Sequence, residues 1–429
     1  MLTSAIDPIV AELRTREFGR LDREGLAYLD YTGSALYAAS QLKAHHELLS
    51  RGVFGNPHSE NEPSRASGAL IDRARTDVLA FFDADADEYV VCFTANTSAA
   101  AKLVAESYRF GRSVTLALSA DNHNSINGIR EYARRAGSRV EYLPLDADLC
   151  LDDPADRLAR LGGGLFAFPA QSNFSGVKHP LSLIDRAHEL GFDVLLDAAA
   201  FVPSNRLSLR RHRADFVAVS FYKMLGYPTG VGALIARRES LSRLQRPWFA
   251  GGTVDFASVQ NDLHRLRDFA EGFEDGTPDF LNIAAVPDGL ALLGEVGLDR
   301  VQCHVGRLTA VLLGGLLDAG VEVYGPSDAE TRGGTVAFNV PGVPYDEVAR
   351  RARDAGIAVR GGCFCNPGAA EAAFGFDAVA ARRCMSVDGF TVERFARCLG
   401  RTVGAVRASV GLANNVEDVL RLMALVREM

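Results

Sequence analysis

Phe216-Val217-Ala218-Val219-Ser220-Phe221-Tyr222-Lys223-Met224-Leu225-Gly226 runs from an apolar, β-prone stretch straight into a lysine flanked by hydroxyls. In an open α/β sheet, ligands bind beyond the carboxyl ends of the strands, so a strand over 216–220 delivers Ser220, Tyr222 and Lys223 to a site. A lysine in such an interior position is costly unless its charge is suppressed or paired, and a desolvated amine is what Schiff-base chemistry requires. A snorkelling surface lysine is the alternative.

The same pattern extends outward in both directions. From about 25 to 240, short β-prone runs (89–94, 114–118, 165–168, 194–197, 216–220 and 231–235) alternate with amphipathic segments such as 65–82, 98–108 and 181–190. That alternation predicts βαβ units wound into an α/β domain with a mostly parallel central sheet. Between 241 and 280 the pattern turns irregular and glycine-rich, which reads as long functional loops. Residues 281–317 then read as one or two helices leading to a smaller unit, with strands near 336–340, 358–360 and 406–410.

Polar residues follow several of these strand runs. After Thr94 comes Ala95-Asn96-Thr97-Ser98 and a helical pattern, whose free N–H groups suit a phosphate; capping by Thr97 or Ser98 accounts for the same residues. His123, in Asp121-Asn122-His123-Asn124-Ser125, is placed to stack on a flat ring, to act as acid or base, or to cap a turn. Gln171-Ser172-Asn173-Phe174-Ser175-Gly176 offers amides to a ligand oxygen or forms a polar turn. Asp197 closes 194–196 ahead of three alanines, and a carboxylate buried there needs a cation, either a protonated heterocyclic nitrogen or an arginine.

A second chemical signal lies in Val359-Arg360-Gly361-Gly362-Cys363-Phe364-Cys365-Asn366-Pro367-Gly368. A glycine-flanked loop can present a thiolate, and an adjacent cation favours that charged form. Half a metal site is the alternative. No second close cysteine pair exists, however, and no histidine follows, so zinc is not expected. Seven cysteines, scattered at 92, 150, 303, 363, 365, 384 and 398, do not read as a disulfide framework and suit a reducing compartment.

With 429 residues, 48% of them hydrophobic, the chain can bury at least one large core. It has no uncharged apolar run of roughly 18 residues, and its first residues lack a basic region followed by an apolar one, so neither a membrane span nor a signal peptide is expected and the cytoplasm is the default location. A net charge of -8 argues against nucleic-acid binding, which needs concentrated Lys and Arg.

The joint order of these pieces is more specific than any one of them. It resembles the pyridoxal-phosphate (PLP) enzymes of the class V aminotransferase and cysteine desulfurase superfamily, most of all the N-terminal, desulfurase-like domain of molybdenum cofactor sulfurases. Gly55-Asn56-Pro57-His58-Ser59, Gln171 to Gly176, Phe221-Tyr222-Lys223 with Gly226-Tyr227-Pro228-Thr229-Gly230, Phe273-Glu274-Asp275-Gly276-Thr277 and Gly362-Cys363-Phe364-Cys365-Asn366 carry that likeness. The resemblance implies the PLP-dependent transferase fold (aspartate aminotransferase-like, fold type I). It divides the chain into an N-terminal segment 1–24 packing on the small domain, a large PLP-binding domain 25–283, and a small α/β C-terminal domain 284–429 that carries the catalytic cysteine loop.

Residue by residue, the resemblance makes Lys223 the lysine that bonds PLP and Asp197 the partner of its pyridinium nitrogen. It stacks His123 on the ring, gives Asn173 to the ring oxygen, and gives Asn96, Thr97 and Ser220 to the phosphate. Tyr222 stands where many desulfurases have histidine. Thr253, in a Gly-Gly-Thr turn, implies a homodimer with shared active sites. Arg407 matches the arginine that binds a substrate carboxylate, with Arg360 joining it. The register Arg-x-Gly-x-x-Cys selects Cys365 as nucleophile and leaves Cys363 as a bystander or a sulfur relay. The implied activity converts L-cysteine to L-alanine with a persulfide on Cys365, for an unidentified sulfur acceptor. Two departures stand out: a counterpart of the sulfurases' further C-terminal domain is not expected in the sequence up to Met429, and three alanines follow Asp197. The rival expectations are a PLP lyase or specialised biosynthetic enzyme without persulfide transfer and, from another class, a catalytically silent scaffold.

Overall fold

The computed structural model describes residues 7–386 and 388–429; the first six residues of the expected N-terminal segment 1–24 lie outside that range. Its larger sheet has seven strands in the order Tyr89–Thr94, Gly232–Arg237, Phe216–Ser220, Phe192–Asp197, Gly164–Pro169, Thr115–Ser119 and Arg139–Leu143. All run parallel except Gly232–Arg237, which lies antiparallel between Tyr89–Thr94 and Phe216–Ser220. Near-continuous apolar runs such as Val194-Leu195-Leu196 are what a sheet covered on both faces demands, and all three residues are fully buried. Helices including Glu62–Phe81, Thr97–Ser107 and Leu183–Glu189 supply the cover, and Asn61 and Asn96 cap the first two through their side chains.

A second, antiparallel sheet of four strands runs in the order Glu322–Tyr324, Thr335–Asn339, Ala405–Ser409, Arg360–Gly362. Helices Leu298–Asp318 and Val416–Arg427 pack on one another beside it. The N-terminal stretch belongs to this unit as well: Ala27–Tyr28 pairs parallel with Ile357–Ala358, and Asp30 bridges to Ser409. Arg14, almost fully buried, donates to Asp418 at 2.7 Å and to the carbonyl of Ala413 at 2.6 Å. One terminal helix is thereby tied to the other end of the chain.

Four sequence readings change. The region 241–280 holds an antiparallel hairpin, Val254–Ser258 with Leu263–Leu266, where loops were expected; its strands are mostly exposed, so no apolar alternation marks them. Residues 281–317 form three helices, Phe280–Ile283, Val286–Val296 and Leu298–Asp318, the last two separated by Gly297 at φ +85°. The strand Arg139–Leu143 was missed because it is a charged edge strand. Finally, Cys384 and Cys398 are joined by a disulfide, with Cα atoms 5.8 Å apart, against the expectation of unpaired thiols. The pairing arises because helices Ala378–Met385 and Val392–Leu399 fold back on one another, which spacing alone does not reveal.

Among the described residues no single helix is long and apolar enough to cross a membrane.

Candidate active site

The carboxyl ends of the central parallel strands converge. Asp197, last residue of its strand, pairs in register with Ala218, two residues before Ser220, and its Oδ1 accepts from the Ala199 N–H at 3.0 Å. Lys223 follows in the short helix Phe221–Leu225, which ends at Gly226 with φ +71°. A Cβ there would collide with the backbone of Leu36 and Tyr37, so the turn that closes behind the lysine has to be glycine. Lys223 keeps partial exposure along its side chain, yet burial pushes its amine below its ordinary pKa; Asp197 opposes that shift, and Arg407 and Arg360 reinforce it. Burial thus disfavours the charged amine relative to a solvated lysine.

Across the antiparallel neighbour, Thr97 opens an eleven-residue helix (Thr97–Ser107). Its N–H donates to Ser220 Oγ at 2.9 Å, and the two hydroxyls lie 2.8 Å apart. Asn96 is the N-cap, accepting from the Ala99 N–H at 3.0 Å, so the cap is neither Thr97 nor Ser98. The Thr97 and Ser220 hydroxyls are left to face one another at a positive helix end.

His123 lies on the turn after Thr115–Ser119. Its Nδ1 accepts from the Ser125 N–H at 3.1 Å, so a proton on the neutral ring resides on Nε2. Burial, with Lys223 nearby, lowers its pKa and keeps it neutral. Below the turn, buried Asp121 bonds Ser119 and, at 2.8 Å, His179 Nε2. Burial alone would raise the Asp121 pKa, but His179 and hydrogen bonds from Ser119 and Ser172 reverse the direction and hold it low. A charged acceptor therefore anchors both the His123 turn and the 171–176 turn.

The cysteine segment enters from the small sheet. Arg360–Gly362 pairs with Ala405–Ser409, and the chain then turns over Cys363 to Asn366, closed by an Asn366 N–H to Cys363 carbonyl bond of 3.0 Å. Phe364 and Cys365 both have left-handed backbones, φ +57° and +56°, a sparsely populated region for residues with side chains. Residues that follow strands of the seven-stranded sheet hold them there. Asn173 Nδ2 donates to the Phe364 carbonyl at 2.8 Å, and the Asn124 N–H donates to the Cys365 carbonyl at 2.8 Å. Asn366 donates to the Asp121 carbonyl at 2.6 Å and to Asn173 Oδ1 at 2.9 Å, and caps helix Pro367–Phe374. Both cysteines of the turn are exposed.

Arg407 and Arg360 share one carboxylate that the sequence reading missed. Asp30 accepts from Arg407 Nη2 at 2.8 Å and from Arg360 Nε at 3.0 Å. Arg407 is 2% exposed, donates from Nη1 to the Asn173 carbonyl at 3.0 Å, and carries the Phe364 ring 4.8 Å from its guanidinium carbon. Two cations against one carboxylate leave a positive excess. Asp30 lies 330 residues from Arg360 in the chain, so the only local signal was a charge placed just after the short strand Ala27–Tyr28.

Of the expected residues, the fold brings Asp197, His123, Arg407, Arg360 and Cys365 within electrostatic range of Lys223, bonds Asn173 to Arg407 and to the cysteine turn, and sets Asn96, Thr97 and Ser220 together. Tyr222 follows Ser220 with its phenol pKa raised by burial. Asn173 is bonded to the cysteine turn rather than left open for a ring oxygen, although its amide retains one N–H and a lone pair. Thr253 stands apart, fully buried, its hydroxyl exchanging hydrogen bonds with Ala250 at 2.8 and 2.9 Å. The donor set fits PLP: a desolvated amine to bond it, a carboxylate at a strand end for a ring nitrogen, and hydroxyls at a helix N-terminus for its phosphate.

This architecture is the fold-type-I α/β fold of PLP-dependent transferases. The chain belongs to the Aminotransferase class-V family, whose model matches residues 27–422. Among curated relatives, it is 35% identical over 473 aligned positions to the molybdenum cofactor sulfurase of Drosophila grimshawi, covering 99% of this chain and 60% of that protein. It is 33% identical to that of Bos taurus, covering 97% of this chain and 52% of the relative. The chain thus spans about three-fifths or less of the length of these two relatives. A solved cysteine desulfurase from Thermococcus onnurineus NA1 superimposes with a TM-score of 0.83 at 26% identity, covering 97% of each chain.

Proposed function

We propose that the chain is a PLP-dependent cysteine desulfurase that passes sulfur onward from Cys365, working as a cytoplasmic homodimer. The observation that carries this reading is the docking of an exposed cysteine turn, through Asn124 and Asn173, on the side of the large domain where Lys223 has lost its solvation. An aminotransferase has no use for such a thiol. The likeness to molybdenum cofactor sulfurases and to a cysteine desulfurase supports L-cysteine as substrate and a sulfur acceptor as the second partner.

Bound PLP supplies an electron sink for negative charge developing at the substrate carbon. Asp197 would hold its ring nitrogen protonated, His123 would stack on the ring, and Asn173 would take the ring oxygen. Asn96, Thr97, Ser220 and Tyr222 would hold its phosphate, and Thr253 of a second copy would join them by giving up its bonds to Ala250. Arg407, with Arg360, orients the substrate by its α-carboxylate. Lys223, its amine pKa lowered by desolvation, takes the proton from Cα and restores one to Cα once Cβ has been protonated. Cys365 thiolate attacks the substrate sulfur: an S–S bond forms, the Cβ–S bond breaks, and its electron pair is protonated, leaving L-alanine and a Cys365 persulfide.

The test is incubation of purified protein with L-cysteine, quantifying alanine and the mass of the Cys365 peptide. Equal amounts of alanine and persulfide are expected, and Cys365→Ser is expected to keep the cofactor's absorbance while losing the persulfide. Alanine without persulfide, or pyruvate and ammonia, sinks the reading.

A further inference from the structure

Phe364, between the two cysteines, closes a ring of contacts. Arg407 Nη1 donates to the Asn173 carbonyl, Asn173 Nδ2 donates to the Phe364 carbonyl, and the Phe364 ring returns to cover the Arg407 guanidinium at 4.8 Å. The ring is 7% exposed and also packs on Phe174, 5.4 Å between centroids. Two forces oppose one another here. Left-handed backbones at Phe364 and Cys365 favour release of the turn, whereas the attraction between an aromatic face and a buried cation holds it down. Arg407 Nε is itself buried without a hydrogen-bond partner, an open donor on the same guanidinium.

We propose that Phe364 is a positioning residue that couples occupancy of Arg407 by a carboxylate to release of the Cys365 turn. This deepens the desulfurase reading and rests on its assignment of Arg407 to the substrate carboxylate. A carboxylate arriving at Arg407 neutralises the charge that the Phe364 ring rests on. The contact weakens, the backbone strain is freed to act, and Cys365 leaves its docked position when a substrate is present to be attacked. Without substrate the turn stays docked, its Cys365 carbonyl held by the Asn124 N–H.

The coupling is read as the rate at which iodoacetamide alkylates Cys365, followed by mass spectrometry of its peptide in the PLP-loaded protein. L-alanine and L-alaninamide are each added at saturation judged by cofactor absorbance; the two differ in the carboxylate and shield the thiol alike. The wild-type protein is expected to alkylate about five-fold faster with L-alanine than with L-alaninamide, the rate equivalent of ~1 kcal/mol for one such contact. Phe364→Leu keeps the apolar packing and removes the aromatic face, so it should alkylate fast with either ligand; Phe364→Tyr should restore the difference. Equal rates for the two ligands in wild type overturn the proposal, as does an undiminished difference in Phe364→Leu. Equal rates alongside normal persulfide formation defeat this coupling alone, whereas a ligand-dependent rate without any persulfide defeats the desulfurase reading and leaves the coupling standing.

Discussion

Asp197, Ser220 and Lys223 sit at the ends of strands whose positions are set by backbone ladders within a buried seven-stranded sheet. Cys365 sits on a turn whose position is set by a few side-chain and backbone hydrogen bonds to Asn173, Asp121 and Asn124, against an unfavourable backbone. The two halves of the site are therefore built to different tolerances. The lysine half cannot shift without breaking a sheet, while the cysteine half is held by a few contacts that can be exchanged. A thiol that first attacks a substrate and then hands sulfur to something else needs that freedom; an amine shuttling a proton between neighbouring atoms needs the opposite.

The largest test of this contrast is Lys223→Ala. Loss of the amine from the rigid half should cut alanine formation by about 10³-fold, in the range for a positioned general acid–base, with the urea midpoint little changed. A loss under ten-fold would show that the proton is moved by another group. Next comes Asp30→Ala, which leaves Arg407, with a 2% exposed side chain, without its carboxylate partner. Removing one partner of a buried pair costs about 3 kcal/mol. Urea denaturation should show that loss, and Asp30→Asn, which retains an acceptor, should recover part of it.

Asn366→Ala probes the looser half. It removes the cap of helix Pro367–Phe374 and the donors to Asp121 and Asn173, at a cost of about 2 kcal/mol. Iodoacetamide should label Cys365 faster in this variant, and unchanged labelling would mean that the turn is rigid by itself. The smallest effect is a pH dependence. In cofactor-free protein the Lys223 pKa is lowered by burial from its ordinary 10.5, so between that lowered value and 10.5 the unfolded chain binds more protons than the folded one. Stability rises with pH through that window. Lys223→Met should be more stable than wild type at pH 7, with the advantage shrinking as pH climbs toward 10.5; a constant gap would contradict a desolvated amine.

How far these halves were legible in the sequence follows the same division. Val194-Leu195-Leu196-Asp197 and Phe216 to Lys223 announced themselves because a strand buried on both faces is written as a continuous apolar run and its polar end is abrupt. Edge and surface strands carry no such signature, which is why Arg139–Leu143 and the 254–266 hairpin were missed. Asp30 escaped for another reason. Its partners are 330 and 377 residues away, and a carboxylate clasp between two arginines leaves no local pattern. The resemblance supplied residue identities, but not that Asn173 would be bonded to the cysteine turn or that Phe364 would lie on Arg407.

The Cys384–Cys398 bond bears on how the protein is handled at the bench. Dithiothreitol, the usual reagent for liberating sulfide from a persulfide, also attacks disulfides, and Cys398 lies on the exposed helix Val392–Leu399. Turnover measured with that reagent would be turnover of a chain with seven thiols, where the oxidised form has five. Following alanine in a single turnover without reductant keeps the covalent form constant. Comparing the two protocols would show whether the bond between helices Ala378–Met385 and Val392–Leu399 influences the sulfur chemistry.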